Sequence, residues 1–456
     1  MQGLIMIIAA GILLTSMPAC SPSDKGGEGT PDSGKPDAPA SVATPKVGEV
    51  IPAWEEGVMD LHFINTTTGE SVFVIMPDGT QLLIDAASST VATNSNANTT
   101  NSGIRGRWDP TKTNTRGSQI IADYIKKCMV WTGNDQIDYF VTTHYDNDHI
   151  GGYTTALPFS ANSNTYRVIG AAEILDEFKV GKFMDRGYPD YNYPHATKYY
   201  KDNVQNYIKA VKWHVANKGL NAEIFKSGSN TQIAPKSDKY DVTVQNISVN
   251  GEIWTGVGTN TRHTFPELKD IVAANPPEAS NDENCPPENA CSCVMKISFG
   301  NFDYWAGGDL QYNGKSSFSW KNIELACAQV GGKVDVMKAN HHGVTNTNQA
   351  EALKAHDPRH IVVCSWVDCH PRTKVLNEMI TTLPNVDVHI TNFWQGERPS
   401  GVDDKVTAEE AARVKLYDGH IVVRVTDGGR FYRIMTLEDV QGTMKVKKVT
   451  TKYTSR

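Results

Sequence analysis

Thr143-His144-Tyr145-Asp146-Asn147-Asp148-His149-Ile150-Gly151-Gly152 is the run on which the fold assignment turns. Two imidazoles and two carboxylates fall between positions 144 and 149, and two glycines follow at once. A hydrophobic core has no use for such a cluster. These are ligand types for two adjacent metal ions, and paired metals hydrolyse esters, amides and phosphodiesters. Residues 137–143 immediately before it read as a buried strand. The run therefore sits in a loop at the carboxyl end of a strand, where α/β proteins place their chemistry. A calcium loop is the competing reading, since Asp146-Asn147-Asp148 begins like an EF-hand. Its fifth and twelfth positions would be Ile150 and Leu157, which bring no carboxylate, so that reading fails.

Upstream, residues 61–64, 71–76 and 81–84 read as strands, with turns at Gly69 and at Pro77-Asp78-Gly79, ending on Asp85. Residues 86–118 are Ser, Thr, Asn and Gly in bulk and read as an inserted loop. Ser118 then caps a helix with Ile120, Ile121, Tyr124, Ile125 and Cys128 on one face. Downstream, 160–250 reads as an accessory stretch with helices at 171–182 and 197–217. The aromatic run 188–193 between them lines a cleft or packs. Residues 275–291 form a further polar insertion.

One short segment cannot surround two metals, so the remaining ligands must come from other strand ends. Three places qualify. Asp309 follows a strand at 302–306 and Gly307-Gly308. His341-His342-Gly343 follows a strand at 334–339. His370-Pro371 follows a strand at 361–365. A closing hairpin spans 420–434, and the coarse reading is two β-rich halves of similar build. His62, His195, His214, His263, His356, His360, His389 and His420 lack such context and read as surface or internally satisfied histidines.

The chain has 456 residues, 39% hydrophobic and 21% charged, with a net charge of -7. That suits a soluble globular protein and gives no support to a stable nucleic-acid complex. Residues 4–14 are apolar but too short to span a bilayer. They lead into Ser16-Met17-Pro18-Ala19-Cys20, which resembles the lipobox of bacterial lipoproteins. Met17 stands where that motif has Leu, and Gln2-Gly3 offers no basic start, so an ordinary cleaved secretory signal is the alternative. Either way the expectation is export to the cell envelope. Residues 21–50 are rich in Ser, Pro, Gly, Asp and Lys and read as a flexible linker. Of eight cysteines, Cys285, Cys291 and Cys293 cluster in a polar loop where one local disulfide is an option. No four-cysteine zinc spacing appears.

In this order, His144-x-Asp146-x-Asp148-His149-x-Gly151-Gly152, Asp309, His341-His342-Gly343 and His370-Pro371 resemble the metallo-β-lactamase-fold superfamily, whose hallmark is His-x-His-x-Asp-His. Asp146 replaces the second His. That variant resembles the subgroup containing the metal-dependent domain of the bacterial DNA-uptake channel and the cell-wall phosphorylcholine esterases. Residues 61–71 and 82–85 resemble its opening strands, and 289–295 resembles a segment before its bridging aspartate. The likeness covers 58–435.

The resemblance implies an α/β fold, a four-layer αββα sandwich over 51–440. Insertions fall near 86–118, 160–250 and 275–291, an export signal occupies 1–20, and a tail occupies 441–456. It implies two divalent metal ions, zinc first and manganese second, because Asp146 hardens the ligand set. One ion would take His144, Asp146 and one of His341 or His342. The other would take Asp148, His149 and His370, with Asp309 bridging. His342 is the preferred ligand and His341 a neighbour contacting substrate, so that Asp148, Asp309 and His341 carry catalysis. Asp85 would hold the motif loop without touching metal. The implied activity is hydrolysis of small-molecule or polymeric phosphoesters, phosphodiesters above all, by a metal-bridging hydroxide. Lactone, β-lactam or other carbonyl-ester hydrolysis is the alternative, and a non-catalytic surface binding protein is the reading from another class. The membrane is the expected partner through a lipid at Cys20. Oligomeric state is open.

Overall fold

The computed structural model describes residues 42–88, 116–193, 200–265, 267, 286–312, 322–396, 404–439 and 442–456. The first half runs β1 (Met59–Phe63), β2 (Val72–Ile75), β3 (Gln81–Ile84), α1 (Gly117–Thr132), β4 (Gln136–Val141), α2 (Asn147–Ile150), α3 (Ala171–Glu177), β5 (Lys179–Asp185), α4 (Asp202–Lys218), β6 (Ala222–Ile224), β7 (Val242–Val249), β8 (Glu252–Trp254) and β9 (Thr261–His263). The second half runs β10 (Val294–Phe299), β11 (Phe302–Ala306), α5 (Ile323–Gly331), β12 (Val336–Lys338), α6 (Ala350–His356), β13 (His360–Val363), α7 (Thr373–Thr382), β14 (Asp387–Ile390), α8 (Ala408–Arg413), β15 (Val414–Tyr417), β16 (His420–Thr426), β17 (Phe431–Leu437), β18 (Val446–Val449) and β19 (Tyr453–Thr454). Short 3-10 turns occupy Glu288–Cys291 and Asn340–Gly343.

The strands form two mixed sheets. One has the order β18-β17-β16-β1-β2-β3-β4-β5-β6, with β19 pairing β17; the other has the order β15-β14-β13-β12-β11-β10-β7-β8-β9. In the first, β1–β3 pair antiparallel and β3–β6 parallel. In the second, β7, β10 and β11 pair antiparallel, and β11–β15 parallel. The protein is thus α/β, with eight α-helices among the described residues.

Alternation along the strands builds three cores. Leu61, Phe63, Val72, Val74 and Leu82 of the first sheet share one core with Met295, Ile297, Phe302, Tyr304 and Val362 of the second. Their neighbours Phe73, Ile75, Leu83 and Phe140 share another with Ile121 and Ile125 of α1, Ile174 of α3 and Ile208 of α4. Trp305, Met337, Ile361 and Val388 share the third with Ile323 of α5, Leu353 of α6 and Leu376 of α7. Strands buried on both faces explain why β2, β3 and β13 are nearly continuous apolar runs.

Helix α1 buries Ile120, Ile121, Tyr124, Ile125 and Cys128, as the spacing predicts. Its N-cap is Arg116, two residues earlier than the expected Ser118. The Gln119 side chain accepts from the Arg116 N–H at 3.0 Å, and Ser118 lies inside the helix, donating to Glu173. The helix stops at Gly133, at φ 64, whose N–H returns to the Met129 carbonyl.

Residues 160–250 differ from the accessory stretch expected. Helix α3 ends at Glu177, and β5 and β6 extend the first sheet while β7 enters the second. The helical patterns of α3 and α4 masked these strands. The expected tail 441–456 supplies β18 and β19, and the linker's end is tied to it, with the Gly48 N–H donating to the Val446 carbonyl at 2.9 Å. Of the aromatic run, Tyr191 is fully buried against Tyr145 and Tyr207, so it packs. Residues 1–41, 89–115 and 268–285 lie outside the described residues, and with them the export signal, Cys20, the body of the 86–118 loop and Cys285. No disulfide forms among the described cysteines.

Candidate metal centre

Loops at the carboxyl ends of β3, β4, β11, β12 and β13 converge at one end of the two sheets. They carry Asp85, the run 144–149, Asp309, His341-His342 and His370. The start of β2 joins them because it runs antiparallel to β3. There the Glu70 N–H donates to the Asp148 carbonyl at 2.9 Å, and the Ala87 N–H to the Glu70 carbonyl at 3.0 Å. Gly69 makes this approach feasible. At φ 145, a Cβ there would lie 2.3 Å from the Asp148 carbonyl oxygen. Gly151, at φ 108, packs on Gly170 in the same way, with its Cβ position 2.9 Å from the Gly170 Cα.

Asp85 fixes the motif loop. Its carboxylate accepts from the Thr143 N–H and Oγ1, both at 2.7 Å, and faces His149 Nδ1 at 2.8 Å. The second ring nitrogen, His149 Nε2, then points at Asp309 Oδ2, 3.1 Å away. His342 repeats the arrangement. Its Nδ1 lies 2.8 Å from the Cys364 carbonyl, which can only accept, so the proton sits on Nδ1. Nε2 faces Asp148 Oδ2 at 3.1 Å and Asp309 Oδ2 at 3.4 Å. With Nδ1 committed to an acceptor in each ring, Nε2 is the nitrogen turned to the centre, the one a metal would take in exchange for its proton.

Asp309 Oδ2 is the common point. His144 Nε2 lies 3.8 Å from it and His341 Nε2 3.7 Å. His144 Nε2 also faces Asp146 Oδ2 at 3.5 Å, yet it is buried and has no hydrogen-bond partner among the described residues. An orphaned buried nitrogen aimed at carboxylates fits a site built for a cation. Asp146 is the most open member, its side chain 42% exposed. His370 stacks on His342, ring centroids 5.0 Å apart, and its Nδ1 is likewise unpartnered. Glu70, His149, Asp309 and His342 each offer a ligand atom within 4.8 Å of all the others, a group that could hold a metal ion.

No family model matches this chain, and no curated protein matches it. The site therefore has to be read from its own geometry.

The structure brings together all seven metal-ligand candidates: His144, Asp146, Asp148, His149, Asp309, His342 and His370. It groups them differently from the expected allocation. His342 lies beside Asp148 and His149, not with His144 and Asp146. His341, 24% exposed, holds the rim, where the Asn289 amide nitrogen lies 3.2 Å from its Nε2. His341 and His342 both adopt left-handed backbone, φ 45 and 53. Such strain in consecutive non-glycine residues is seen where surrounding structure over-determines it. Here the Asn348 side chain accepts from the Asn340 N–H at 3.0 Å and returns a bond to its carbonyl at 2.9 Å.

Three contributors escaped the sequence reading. Glu70 falls between the turn at Gly69 and the strand that begins at Ser71, and nothing local marks it. Lys338, a charge at the end of an apolar strand, was the signal for a buried ion pair. Its ammonium contacts Glu70 Oε2 at 2.8 Å, the Gly308 carbonyl at 2.6 Å and Asp309 Oδ1 at 3.3 Å. Glu288 accepts from the Tyr145 N–H at 2.7 Å and pairs with buried Arg186, which covers the Tyr145 ring at 4.0 Å. That clamp fixes the residue between His144 and Asp146.

The electrostatics are divided. Burial opposes charge on Asp148 and Asp309, but His149 and His342 hold both carboxyls below the usual range. Burial likewise opposes charge on His342, but Asp309 and Asp148 raise it to about 9. His341 goes the other way, pushed by burial to about 4. A divalent cation would take the place of the extra protons on His149 and His342, since metal ligation and protonation compete for the same lone pair.

Proposed function

We propose that this chain is a binuclear metal-dependent hydrolase of the metallo-β-lactamase superfamily, with a four-layer αββα sandwich, acting on phosphoesters. The three cores support that layering, with helices against the outer face of each sheet and one core between the sheets. The observation that carries the function is Asp309 Oδ2, toward which four imidazoles converge within 3.8 Å.

Charge balance favours two ions. Glu70, Asp85, Asp146, Asp148 and Asp309 bring five carboxylates to the centre, and Lys338 brings one ammonium. The four remaining negative charges match two divalent cations. His144, Asp146 and Asp309 would hold one ion, and Asp148, His149, His342 and Asp309 the other, with His370 beside His342 as a further ligand of the second. Zinc is the first choice and manganese the second, given three carboxylates in the set. Bound there, the ions lower the pKa of water toward neutrality and neutralise charge developing on a leaving oxygen.

The chain's own residues do the rest. Asp85 and the Cys364 carbonyl fix His149 and His342 in the ligating tautomer. The Arg186–Glu288 clamp keeps Tyr145, and with it His144 and Asp146, in register. His341, neutral and partly exposed, can present an N–H to a substrate oxygen. Substrate class rests on the resemblance carried by Asp146, since one fold hosts many activities. Export and a lipid at Cys20 belong to the same proposal, and mass spectrometry of the protein extracted from membranes tests them.

The deciding experiment is elemental analysis of the purified protein, followed by a screen with zinc or manganese restored. Bis-p-nitrophenyl phosphate, a phosphomonoester, a lactone and nitrocefin are the substrates, with Asp309→Ala as control. Two ions per chain and turnover of the phosphodiester are expected. Absence of metal sinks the centre, and turnover of nitrocefin or the lactone alone moves the assignment to carbonyl chemistry. Metal without turnover of any ester points to a binding role.

A further inference from the structure

Glu70 lies among the ligand atoms, yet its carboxylate is bonded elsewhere. Its Oε2 is 3.5 Å from His342 Nδ1, but that nitrogen already serves the Cys364 carbonyl at 2.8 Å. The contact that Glu70 makes at hydrogen-bond distance is to Lys338 Nζ, 2.8 Å. Both side chains are 1% exposed. An ammonium has three donors and no acceptor, and Lys338 uses all three, on Glu70, the Gly308 carbonyl and Asp309 Oδ1. Asp309 is therefore split. Oδ1 belongs to Lys338, and Oδ2 alone faces the imidazoles.

We propose that Lys338 is the resident cation of the centre, a positioning residue that neutralises Glu70, keeps it out of the metal ligand set and turns Oδ2 of Asp309 toward the metals. This rests on the metal reading above. A lone carboxylate buried beside Asp309 would invite a further cation or repel its neighbour, because buried charges persist only when paired. An ammonium held by covalent attachment meets that need without depending on metal supply. It also explains a lysine at the end of a strand whose other members are Val336 and Met337.

The test compares metal binding across Glu70→Gln, Lys338→Met and the double variant, at matched free zinc. Metal content is read by elemental analysis and affinity by competition with a chromophoric chelator. Glu70→Gln keeps an acceptor for Lys338 and should hold as many ions as wild type, with affinity lowered less than in Lys338→Met. Lys338→Met should weaken zinc binding about ten- to a hundredfold, the usual penalty for losing a group that orients a metal ligand. The double variant should recover part of that loss, because Glu70 no longer sits uncompensated.

Loss of an ion in Glu70→Gln would make Glu70 a ligand and overturn the proposal. Unchanged affinity in Lys338→Met would overturn it as well. Should Lys338→Met fail to fold, Glu70→Gln alone decides. A wild-type protein without metal would bring down the metal reading itself, a result distinct from either.

Discussion

His149 and His342 lie with ring centroids 5.4 Å apart, and His360 and His389 lie 5.3 Å apart. All four are buried. The first pair sits among Asp85, Asp148 and Asp309. The second sits against Tyr432 and Tyr453, with His360 Nδ1 3.2 Å from His389 Nε2. Burial opposes protonation in both places. Around His342 the carboxylates overcome it and raise the ring to about 9. Around His360 burial wins, helped by Arg359 and Arg456, and the ring is pushed down to about 3. Two imidazoles at one spacing thus belong to a group that could hold a metal ion in one place and form a neutral core contact in another. The surrounding charge decides, and it comes from strands remote in sequence.

Removing Asp309 should erase the contrast. Asp309→Ala takes away the oxygen shared by His144, His149, His341 and His342. Metal content should fall below that of wild type, and turnover of the phosphodiester by more than about a hundredfold, beyond the ten- to hundredfold typical of outer partners. Retained metal and turnover would show that the imidazoles do not depend on this carboxylate. Asp85→Asn is the milder probe, since it weakens the hold on His149 Nδ1 and leaves the other ligands in place. Zinc affinity should drop about ten- to a hundredfold, read by chelator competition. A change under threefold would demote Asp85 to a purely structural contact with Thr143.

Much of the centre could be read from the chain alone, because each fragment is local. His144-Tyr145-Asp146-Asn147-Asp148-His149, Asp309 and His341-His342 each follow an apolar run and lie within two residues of Gly. Their grouping could not be read. The side on which His342 falls depends on how β12 and β4, in different sheets, are brought together. Glu70 and Lys338 are 268 positions apart and meet through the same approach. The strands of 160–250 were hidden for another reason. The pattern at 171–182 favours helix throughout, and only pairing with β4 turns Lys179–Asp185 into β5. Of the histidines outside the motifs, His62, His214, His356, His360, His389 and His420 are buried, His263 is exposed, and His195 lies outside the described residues.

Acid should expose the dry pair. The unfolded chain takes up a proton at His360 near the ordinary value of 6.5, whereas the folded ring does so at about 3. Between these values the unfolded state binds more protons, so stability falls as pH drops through that window. The slope is up to about 1.4 kcal/mol per pH unit for each such ring. His62 and His356, each pushed by burial to about 4, act in the same direction. His360→Asn should flatten the fall, measured as urea midpoints from pH 6.5 to 4.5. A slope identical to wild type would mean that His360 is protonated in the native state.

The smallest effect concerns an acid, and it tests the same rule with the sign reversed. Glu324 is buried beneath the His341-His342 turn. It accepts from the Asn340 amide at 2.8 Å and from the backbone N–H groups of Asn348 and Gln349 at 2.5 and 3.1 Å. Among the described residues no ion pair reaches it, and burial raises it to about 7 from an ordinary value of 4.5. Asp148 and Asp309, also buried but beside His149 and His342, go down instead. Below 4.5 both folded and unfolded states carry the proton, and Glu324 costs nothing. Between 4.5 and about 7 the unfolded chain releases it while the folded one keeps it. Stability therefore falls as pH rises, by up to about 1.4 kcal/mol per unit, and the loss is complete above 7. Glu324→Gln removes the charge but leaves one acceptor fewer for the three donors. Relative to wild type, the variant should be level or slightly weaker at pH 5 and should gain at pH 8. An offset that stays constant between those two pH values would show that Glu324 remains ionised, and that the hydrogen bonds from Asn340, Asn348 and Gln349 do for it what His149 and His342 do for Asp148.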